Sequence, residues 1–515
     1  MSLAASPIEP PYRSNSVSTT HEGSSSLPLI IIIAAFTVLC LPLAYYLNIW
    51  QDEAYSLHSS SGTIAFALHQ GLGFEAQAPL YFVVLAAWRE LNGSAYFARL
   101  LSICFSILTL VATWSFARRY LTKLSPWLVV AAIALNPFVV WAAVEIRPYA
   151  ASVTFSALLL LLLFRGFIDD EPSRAARVSY LCVAVAGTYT QYYVAFLLVA
   201  HFVALLALKR WKSTKRFLLY SIVFGLSLLP LLPVLPSQFE SYHVVSLVNR
   251  VPSYVMATVL FGYPFPHDWI EGWAQRPVEN LGYLVLTLVP LAFAWRHLAR
   301  MSNVTKALLA MSAALLLTYT AVIVVAHVHV IIPRHTLVML VPMLATMFAL
   351  IGDVSESRRW IVLGSYTAIY SVFAGCSLWH DFHEVTKVGD WHRVADFVAV
   401  SAKPGDAITL FNAEAELPFR YYFKKPAQVA AIPRSMSFER FDDEAFVLHS
   451  RHEVAQTFGR FAAKHRHVWL IETEACSPKY AVFGCKYLTS YVDDHFSKLR
   501  TVHFNGTNVI ELERR

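Results

Sequence analysis

The chain has 515 residues, of which 57% are hydrophobic and only 15% are charged, and its mean hydropathy is +0.49. Soluble globular domains are less apolar and more charged, so this composition excludes an ordinary soluble protein and predicts a polytopic membrane protein. The formal net charge of +7 comes from short basic clusters between apolar runs, which are typical of orientation signals and predict no nucleic-acid partner.

The N-terminal segment divides into a polar tail and a first apolar run. Residues 1–27 are rich in Ser and Pro and poor in large apolar residues, so they predict a disordered cytoplasmic tail. Leu27–Tyr46 is a run of about 20 apolar residues, which is enough to cross the hydrocarbon core. No small-residue cleavage site follows a short apolar core, so we predict a retained span rather than a cleaved signal peptide.

Ten further apolar runs predict membrane spans and bring the total to eleven within residues 28–378, the predicted transmembrane domain. Lys and Arg favour cytoplasmic loops, and here they cluster at every second connection between the runs. This alternation places the tail inside and residues 379–515 outside. The ten runs lie near 98–117, 126–143, 146–167, 178–190, 192–208, 217–236, 280–295, 306–326, 335–352 and 359–378.

Pro79–Leu91 is an apolar segment that is too short to span comfortably, and a crossing there would break the alternation of basic clusters. We predict that it lies, with residues 57–78, as an interfacial or re-entrant helix in the first outer loop. The alternative is a thirteen-span topology, in which Pro79–Leu91 crosses and a weak segment near 252–263 restores the parity.

From residue 379 onward the sequence mixes polar and apolar residues, with helix and strand patterns in turn. Val394–Val400 is amphipathic at helical spacing, and Pro404-Gly405-Asp406 predicts a turn into a strand over Ala407–Phe411. Residues 379–515 are therefore predicted to form a small α/β domain outside the membrane. Further strand patterns are Val468–Ile471 and a hairpin of Val502–Phe504 and Val509–Leu512 around Asn505-Gly506.

Six cysteines are present, and four of them fall in or beside apolar runs, where cysteine behaves as a small hydrophobe. Cys476 and Cys485 lie in the polar C-terminal region, where an oxidising compartment would allow a disulfide that closes a short loop. Two unpaired thiols are the alternative. The sequence contains no CxxC pair and no HExxH, so its motifs do not indicate zinc.

The predicted orientation gathers polar residues at the outer side of the membrane. Asp52 and Glu53 directly follow the first span, and two carboxylates at the mouth of a span are costly to desolvate, which indicates a functional site. Later outer turns add Glu145, Arg147 and Tyr149, then Gln191 and Tyr192, then a long loop over 237–279, and then His327, His329, Arg334 and His335.

This set of side chains suits the transfer of a sugar from a lipid phosphate. A carboxylate can accept the proton of an attacking hydroxyl while fixed cations stabilise the leaving phosphate. Arginine suits the second task because its planar guanidinium matches phosphate oxygens and stays charged. Asp52 and Glu53 would point roughly 100° apart on a helix, so one can act as the base while the other orients it or holds the sugar.

Each feature also has a purely structural interpretation. The acidic pair can form a polar turn that ends a span, and Glu145 can form a capping ion pair with Arg147. The histidines of the last outer turn can form a basic patch at the lipid headgroups. His327 and His329 have the spacing of metal ligands but lack a defined third ligand, and Tyr192 can be an interface anchor.

Three motifs occur in order in the first third of the chain. They are Trp50-Gln51-Asp52-Glu53-Ala54-Tyr55, Ala78-Pro79-Leu80-Tyr81-Phe82 with Ala98-Arg99-Leu100-Leu101-Ser102, and Glu145-Ile146-Arg147-Pro148-Tyr149. Together they resemble bacterial members of the GT-C glycosyltransferase superfamily, in particular the family 39-like enzymes related to dolichyl-phosphate-mannose protein mannosyltransferases and to the aminoarabinose transferase of lipid A. Pro333-Arg334-His335 and Gly389-Asp390-Trp391 extend the likeness more loosely.

The resemblance implies a multi-span α-helical enzyme of the bacterial inner membrane that takes its sugar from a polyprenyl phosphate, works on the periplasmic side and inverts the anomeric carbon. It implies Asp52 as the base, Glu53 beside it and Glu145 as the second acidic position. Metal dependence varies within the superfamily, so no cofactor is assigned and a divalent metal stays an open alternative. Predicted phosphate contacts are Arg147, Arg334 and His335, and predicted substrate contacts are Tyr55, Tyr149, Gln191 and Tyr192.

Two other functions compete with single-sugar transfer to an envelope glycan, lipid or protein. A transporter or flippase would move a lipid-linked sugar without bond chemistry, and it would need charged or broken helices near the middle of the membrane. The sequence has few charges deep inside its apolar runs, which disfavours this alternative. An oligosaccharide ligase or polymerase would keep the chemistry but transfer several sugars at once.

Overall fold

The computed structural model describes residues 26–240, 281, 301–324 and 333–515. Seven of the helices in these residues are long and apolar enough to cross a membrane, and a bent helix pair makes eight if the pair is one span. The chain is therefore a multi-pass membrane protein, as its composition predicts.

All regular structure within residues 26–240 is helical. A π-helical turn, Phe164–Ile168, extends α8, and short 3-10 turns at Tyr192–Val194 and Leu229–Leu231 adjoin α10 and α11. The helices are α1 Leu27–Tyr46, α2 Gln51–Ser59, α3 Ile64–Leu72, α4 Leu80–Arg89, α5 Ala95–Tyr120, α6 Pro126–Ala134, α7 Pro137–Ala143, α8 Tyr149–Leu163, α9 Arg174–Thr190, α10 Ala195–Ala207, α11 Trp211–Ser227 and α12 Leu235–Phe239.

The bent pair is formed by α6 and α7, which meet at an angle of 62°. Asn136 lies at the bend, and its side-chain oxygen accepts hydrogen bonds from the backbone N–H groups of Phe138 and Val139 at 3.0 and 3.2 Å. This cap and the proline at the first position of α7 start a new helix there. The bend aims the end of α7 at the turn that carries Glu145 and Arg147.

The predicted number of eleven spans is not confirmed. The run near 126–143 is the bent pair, the run near 178–190 lies in the 17-residue α9, and the run near 192–208 lies in a short apolar helix. Pro79–Leu91 contains only the 10-residue α4, which is too short to cross the membrane, as predicted.

Several predictions fall on residues that the structure does not describe. They are the tail up to residue 25, the span near 280–295 apart from residue 281, the loop over 241–279 with its alternative span near 252–263, and the histidines His327 and His329.

Beyond residue 300, three long helices precede a smaller region of helices and strands. A 3-10 helix, Pro333–Met339, runs directly into the second of the long helices and carries Arg334. Another 3-10 turn, Ala413–Ala415, carries Glu414. The helices are α13 Asn303–Val324, α14 Leu340–Asp353, α15 Glu356–Phe382, α16 Trp391–Ser401, α17 Glu416–Tyr422, α18 Arg451–Val454, α19 Arg460–Ala462 and α20 Cys485–His495.

The C-terminal region contains a five-stranded sheet in the order β2-β1-β3-β5-β4. β1 pairs in parallel with β2 and β3, whereas β5 pairs antiparallel with both β3 and β4. This mixed sheet confirms the predicted small α/β fold. The strands are β1 Ala407–Phe411, β2 Gln428–Ile432, β3 His467–Thr473, β4 Phe496–Phe504 and β5 Thr507–Arg514.

Alternate side chains of β3 enter two apolar clusters, one on each face of the sheet. Trp469 and Ile471 join a cluster that α16 covers, whereas Val468 and Leu470 join a second cluster that α20 covers. The C-terminal region is thus a helix–sheet–helix sandwich. The sequence predicted α16 from its amphipathic spacing and β1 from the turn that precedes its apolar run, but it missed β2.

The predicted hairpin forms between β4 and β5 around Asn505-Gly506, and Gly506 adopts the positive φ of +72° that such a two-residue turn requires. The carbonyl oxygen of Asn505 accepts a hydrogen bond from the backbone N–H of Gly389 at 2.8 Å. The hydroxyl of Thr507 donates to the carbonyl oxygen of Gly389 at 3.0 Å. The hairpin therefore holds the segment that links α15 to α16.

Cys476 and Cys485 form a disulfide with a Cα–Cα distance of 5.1 Å, which is the first of the two alternatives left open by the sequence. The bond ties the turns that follow β3 to the start of α20.

The C-terminal region is joined to the loop between α1 and α2. The backbone N–H of Ile49 donates to the hydroxyl of Tyr422 in α17 at 2.8 Å. The side-chain oxygen of Asn48 accepts from the hydroxyl of Thr386 and from the backbone N–H of Lys387, at 2.7 and 2.6 Å. These bonds place the C-terminal region directly over α2, the helix that carries Asp52 and Glu53.

Candidate active site

The two adjacent carboxylates of α2 lie in different environments. The side chain of Glu53 is fully buried, whereas that of Asp52 keeps 17% of its surface exposed. Neighbouring residues on a helix point about 100° apart, so the two carboxylates meet different partners. The structure thus shows the separation that helical spacing predicts.

Glu53 forms a bidentate ion pair with Arg99 of α5. Arg99 Nε donates to Oε1 at 2.9 Å and Nη2 donates to Oε2 at 2.7 Å, while the backbone N–H of Ile146 donates to Oε1 at 3.1 Å. Arg99 also satisfies carbonyl oxygens that the end of α1 would leave open, so it fixes α1, α2 and α5 together. These carbonyl oxygens belong to Ala44, Leu47 and Asn48.

Lys387 joins the two buried acids of the site. Its Nζ lies 2.9 Å from Glu53 Oε2 and 2.7 Å from Glu145 Oε1, and it donates to the carbonyl oxygen of Val144 at 2.9 Å. The indole N–H of Trp50 donates to Glu145 Oε2 at 2.6 Å. The segment that links α15 to α16 therefore supplies a cation that Glu53 and Glu145 share.

Burial and the neighbouring cations act in opposite directions on these acids. Burial raises the pKa of Glu53, but Arg99 and Lys387 outweigh it and hold that pKa below the ordinary value. Burial raises the pKa of Glu145 to about 7, against the opposing effect of Lys387. Glu53 is thus a fixed anion, and Glu145 is the acid of the pair that holds a proton more readily.

Asp52 faces two arginines. Arg334 Nη1 lies 3.1 Å from Asp52 Oδ2, and Arg147 Nε lies 3.9 Å from the same oxygen. The Arg334 side chain keeps 27% of its surface exposed and lies over the ring of Trp50 at 5.4 Å. Asp52 and Arg334 are therefore the charged pair of the site that solvent or a substrate can reach.

Arg147 is almost fully buried and already bonded. Its Nη1 donates to Glu75 Oε2 at 2.7 Å, to the hydroxyl of Ser56 at 3.0 Å and to the backbone oxygen of Asp52 at 3.3 Å. The hydroxyl of Ser59 donates to the other oxygen of Glu75 at 2.9 Å. Arg147 thus holds α2 through Asp52 and Ser56. Its ion-pair partner is Glu75, and not Glu145 as in the capping ion pair that the sequence offered as a structural alternative.

The structure brings most of the predicted site residues together. Tyr149 interacts electrostatically with Arg334, Arg147 and Asp52, and its ring stacks on Trp141 at 5.2 Å. The predicted residues within this one cluster are Asp52, Glu53, Tyr55, Glu145, Arg147, Tyr149 and Arg334.

Three predicted residues have other neighbours. The hydroxyl of Tyr192 donates to Gln238 at 3.0 Å, and the ring of His335 stacks on Tyr193 at 5.2 Å. Gln191 is buried at the end of α9. Among the contacts that the described residues make, none joins Gln191 or Tyr192 to Asp52, so their assignment to substrate stays a prediction.

Sequence reasoning missed three charged residues of the cluster, Arg99, Lys387 and Glu75. Arg99 stands alone early in an apolar helix, and Glu75 stands alone in an apolar loop, which is the signal that an isolated charge gives in a membrane segment. Lys387 carries no such signal, because it lies in a polar segment far along the chain.

Glu414 from the C-terminal region is a further acid near Asp52. Burial, followed by the negative charge of Asp52, raises the pKa of Glu414 from its ordinary value of 4.5 to about 7. Because the folded-state pKa lies above the unfolded one, the folded protein binds more protons between these pH values. Glu414 therefore stabilises the fold least above about pH 7.

We expect Glu414→Gln to remove a loss of stability that the wild type suffers as the pH rises from 4.5 to about 7. Glutamine has the same shape and stays neutral, so the stability difference between variant and wild type should grow through that window and level off above it. Unfolding midpoints in detergent across this pH range measure the effect. Glu416→Gln, at a carboxylate that is 13% exposed and paired with Arg420, is the matched control, and an unchanging difference for Glu414→Gln would contradict the prediction.

The described residues offer no fitting metal site at this cluster. Over residues 26–240, 301–324 and 333–515, the one group of three close potential ligands is Glu472, Cys476 and Cys485, and its sulfur atoms are joined to each other. A divalent ion prefers several converging oxygen ligands, whereas Asp52 and Glu75 face arginines.

No family model matches the sequence, and no curated protein matches it. Two solved structures of ArnT from Cupriavidus metallidurans are similar over 95% of this chain and 98% of theirs. The apo structure has a TM-score of 0.58 at 11% identity, and the structure bound to undecaprenyl phosphate has a TM-score of 0.57 at 12% identity.

A weaker likeness, with a TM-score of 0.48 and 10% identity, is to an oligosaccharyltransferase from Archaeoglobus fulgidus, over 94% of this chain and 72% of that one. At identities this low, a likeness shows the fold alone. The chain has the fold of ArnT, which confirms the fold that the resemblance of the three motifs implies.

Proposed function

We propose that the protein is an inverting glycosyltransferase that moves one sugar from a polyprenyl-phosphate-linked donor to an envelope glycan, lipid or protein at the outer face of the bacterial cytoplasmic membrane. The observation that carries the proposal is a partly exposed carboxylate, Asp52, beside two arginines at one end of the helix bundle. The undecaprenyl phosphate bound by ArnT supports a lipid-linked donor. The alternation of basic clusters supports the outer face.

In this proposal residues 28–378 form the catalytic membrane domain and residues 379–515 form an extracytoplasmic domain that covers the site. The hydrogen bonds of Asn48 and Ile49 to the C-terminal region support this arrangement. Residues 1–27 would be a cytoplasmic tail.

Asp52 is the carboxylate best placed to be the general base. Glu53 and Glu145 are completely buried and share the cation Lys387, whereas Asp52 reaches the surface. An acceptor hydroxyl bonded to Asp52 would give up its proton to the carboxylate as its oxygen attacks the anomeric carbon. The bond from that carbon to the phosphate oxygen breaks at the opposite face, so one displacement inverts the configuration.

Arg334 is the better placed of the two arginines to bind the donor phosphate. Its guanidinium is partly exposed, and phosphate is the ligand that a guanidinium fork matches. Arg147 is committed to Glu75 and to α2, so we give it a positioning role instead of the phosphate contact that the resemblance implies. Glu53 and Glu145 likewise support α2 and Trp50.

We expect Arg334→Gln to weaken the binding of undecaprenyl phosphate about 10- to 100-fold, because a hydrogen bond to a charged group contributes about 1.5–3 kcal/mol. The sugar-free lipid isolates the phosphate contact from the chemistry at Asp52. Titration of the lipid into purified protein in nanodiscs measures it. Arg358→Gln, at an exposed arginine of α15, is the control. Equal affinity of the two variants for undecaprenyl phosphate would show that Arg334 does not bind the phosphate.

The proposed activity is tested by mass spectrometry of envelope glycolipids, glycans and glycoproteins from cells that lack the chain. We expect one class of molecule to lose a single sugar mass, and to regain it when the wild type is expressed but not when Asp52→Asn is expressed. An unchanged envelope, or a product that differs by several sugars, would contradict single-sugar transfer.

A further inference from the structure

The C-terminal region places a polar surface, which includes Asn412 and Glu414 and is called the wall below, beside α2. The 3-10 turn with Glu414 precedes α17, and α17 packs on α2. The ring of Phe441 lies 6.4 Å from the ring of Tyr55 on α2. The negative charges of Glu414, Asp52 and Glu75, in that order, act on Tyr55, so Tyr55 lies near carboxylates of both α2 and the C-terminal region.

Two deeply buried polar groups at this wall lack a partner among the described residues. The side chain of Tyr55 is 6% exposed and that of Asn412 is 1% exposed, yet the Tyr55 hydroxyl and Asn412 Oδ1 accept or donate no hydrogen bond there. The amide of Asn412 instead donates to Glu414 Oε2 at 3.5 Å, which leaves its oxygen free. Buried polar groups in folded proteins are nearly always hydrogen-bonded, so these atoms indicate a ligand.

The free atoms define the chemistry of that ligand. A carboxylate and an amide oxygen accept hydrogen bonds, and a phenol can accept or donate one. An anion would be repelled by Glu414, Asp52 and Glu75, and a cation would meet Arg334 and Arg147. A neutral group with several hydroxyl donors satisfies all of these atoms, and a sugar ring is such a group.

We propose that Glu414 and Tyr55, with Asn412, form a subsite for the hydroxyl groups of a sugar ring beside Asp52, so that the C-terminal region completes the active site. The inference rests on the proposed function and extends it by naming residues of the C-terminal region that contact substrate. The ring belongs either to the transferred sugar or to a glycan acceptor, because both present the same hydroxyls.

The test uses the purified full chain in nanodiscs. The donor is the lipid-linked sugar pool extracted from cells that lack the chain, and the acceptor is the membranes of the same cells. Tyr55→Phe removes one hydroxyl and Glu414→Gln removes one charge without changing shape. We expect each to raise one KM about tenfold, because a hydroxyl or carboxylate loses its bond to the sugar.

Varying the concentration of the donor pool or of the acceptor membranes distinguishes the two sources of the ring. A higher KM for the donor pool shows that the ring belongs to the transferred sugar, and a higher KM for the membranes shows that it belongs to the acceptor. The affinity for undecaprenyl phosphate, which has no sugar, should stay within about twofold of wild type in both variants. The control Glu416→Gln should match the wild type throughout.

The inference is overturned if Tyr55→Phe and Glu414→Gln have the same two KM values as Glu416→Gln. It is also overturned if the two variants weaken the binding of undecaprenyl phosphate as much as that of the sugar-bearing substrate. Should Glu414→Gln fail to fold, Tyr55→Phe decides, because it deletes one buried oxygen that has no hydrogen-bond partner among the described residues. If the wild type transfers no sugar, both the proposed function and this inference are contradicted. If the wild type transfers sugar and the variants behave like it, only the inference is contradicted.

Discussion

Asp52→Asn should reduce sugar transfer about 10²- to 10⁴-fold, which is the range expected when a general base is lost. Asparagine keeps the size of the side chain and can still accept a hydrogen bond from Arg334, but it cannot take up the proton of the attacking hydroxyl. The fall should therefore appear in kcat. Affinity for undecaprenyl phosphate should change little, because Arg334 remains.

The control for this variant is Asp170→Asn, at a carboxylate that is 91% exposed and paired with Arg210. It makes the same chemical change far from the site, so its transfer rate should equal that of the wild type. A rate for Asp52→Asn near that of the control would exclude Asp52 as the base. A loss of lipid affinity as large as the loss of rate would show instead that the substitution disturbs the site.

Arg99→Met should destabilise the protein by about 3–5 kcal/mol, the usual cost of breaking a buried ion pair. The change leaves the fully buried Glu53 with Lys387 alone and also frees the carbonyl oxygens at the end of α1. Thermal unfolding in detergent, followed by the loss of monodisperse protein, measures the effect. Arg99→Lys should also be unstable, because an ammonium cannot reproduce the guanidinium fork.

The matched control is Arg119→Met in the same helix, α5. Arg119 forms an ion pair with Asp169 in which its own side chain is 56% exposed, and exposed pairs contribute about 0–1 kcal/mol. Its unfolding midpoint should stay close to that of the wild type. If Arg99→Met and Arg119→Met unfold at the same temperature, the buried pair does not hold α1, α2 and α5 together.

Much of the fold was predictable because its signals are local. The length of an apolar run predicts a span, and the turn before the apolar run of β1 and the Asn505-Gly506 turn predict parts of the sheet. The number of spans was not predictable in this way, because a run such as 126–143 gives no sign that Asn136 will cap a new helix and bend it.

The site was predictable only in part, for the same physical reason. Glu53 and Glu145 can be recognised in the sequence as acids at the ends of apolar runs. Their partner Lys387 lies more than two hundred residues from either along the chain, in a segment that a sheet hairpin holds in place. A charge of this kind has an ordinary sequence context, and only the tertiary structure brings it to the acids.

The most direct test of Asp52-dependent sugar transfer is an assay with purified protein in nanodiscs, with a donor pool radiolabelled in its sugar and acceptor membranes from cells that lack the chain. We predict that label moves to an acceptor that becomes one sugar heavier, with inverted anomeric configuration, and that Asp52→Asn slows the movement about 10²- to 10⁴-fold. Label that stays on the lipid, or that crosses a proteoliposome bilayer with the lipid intact, would contradict the account.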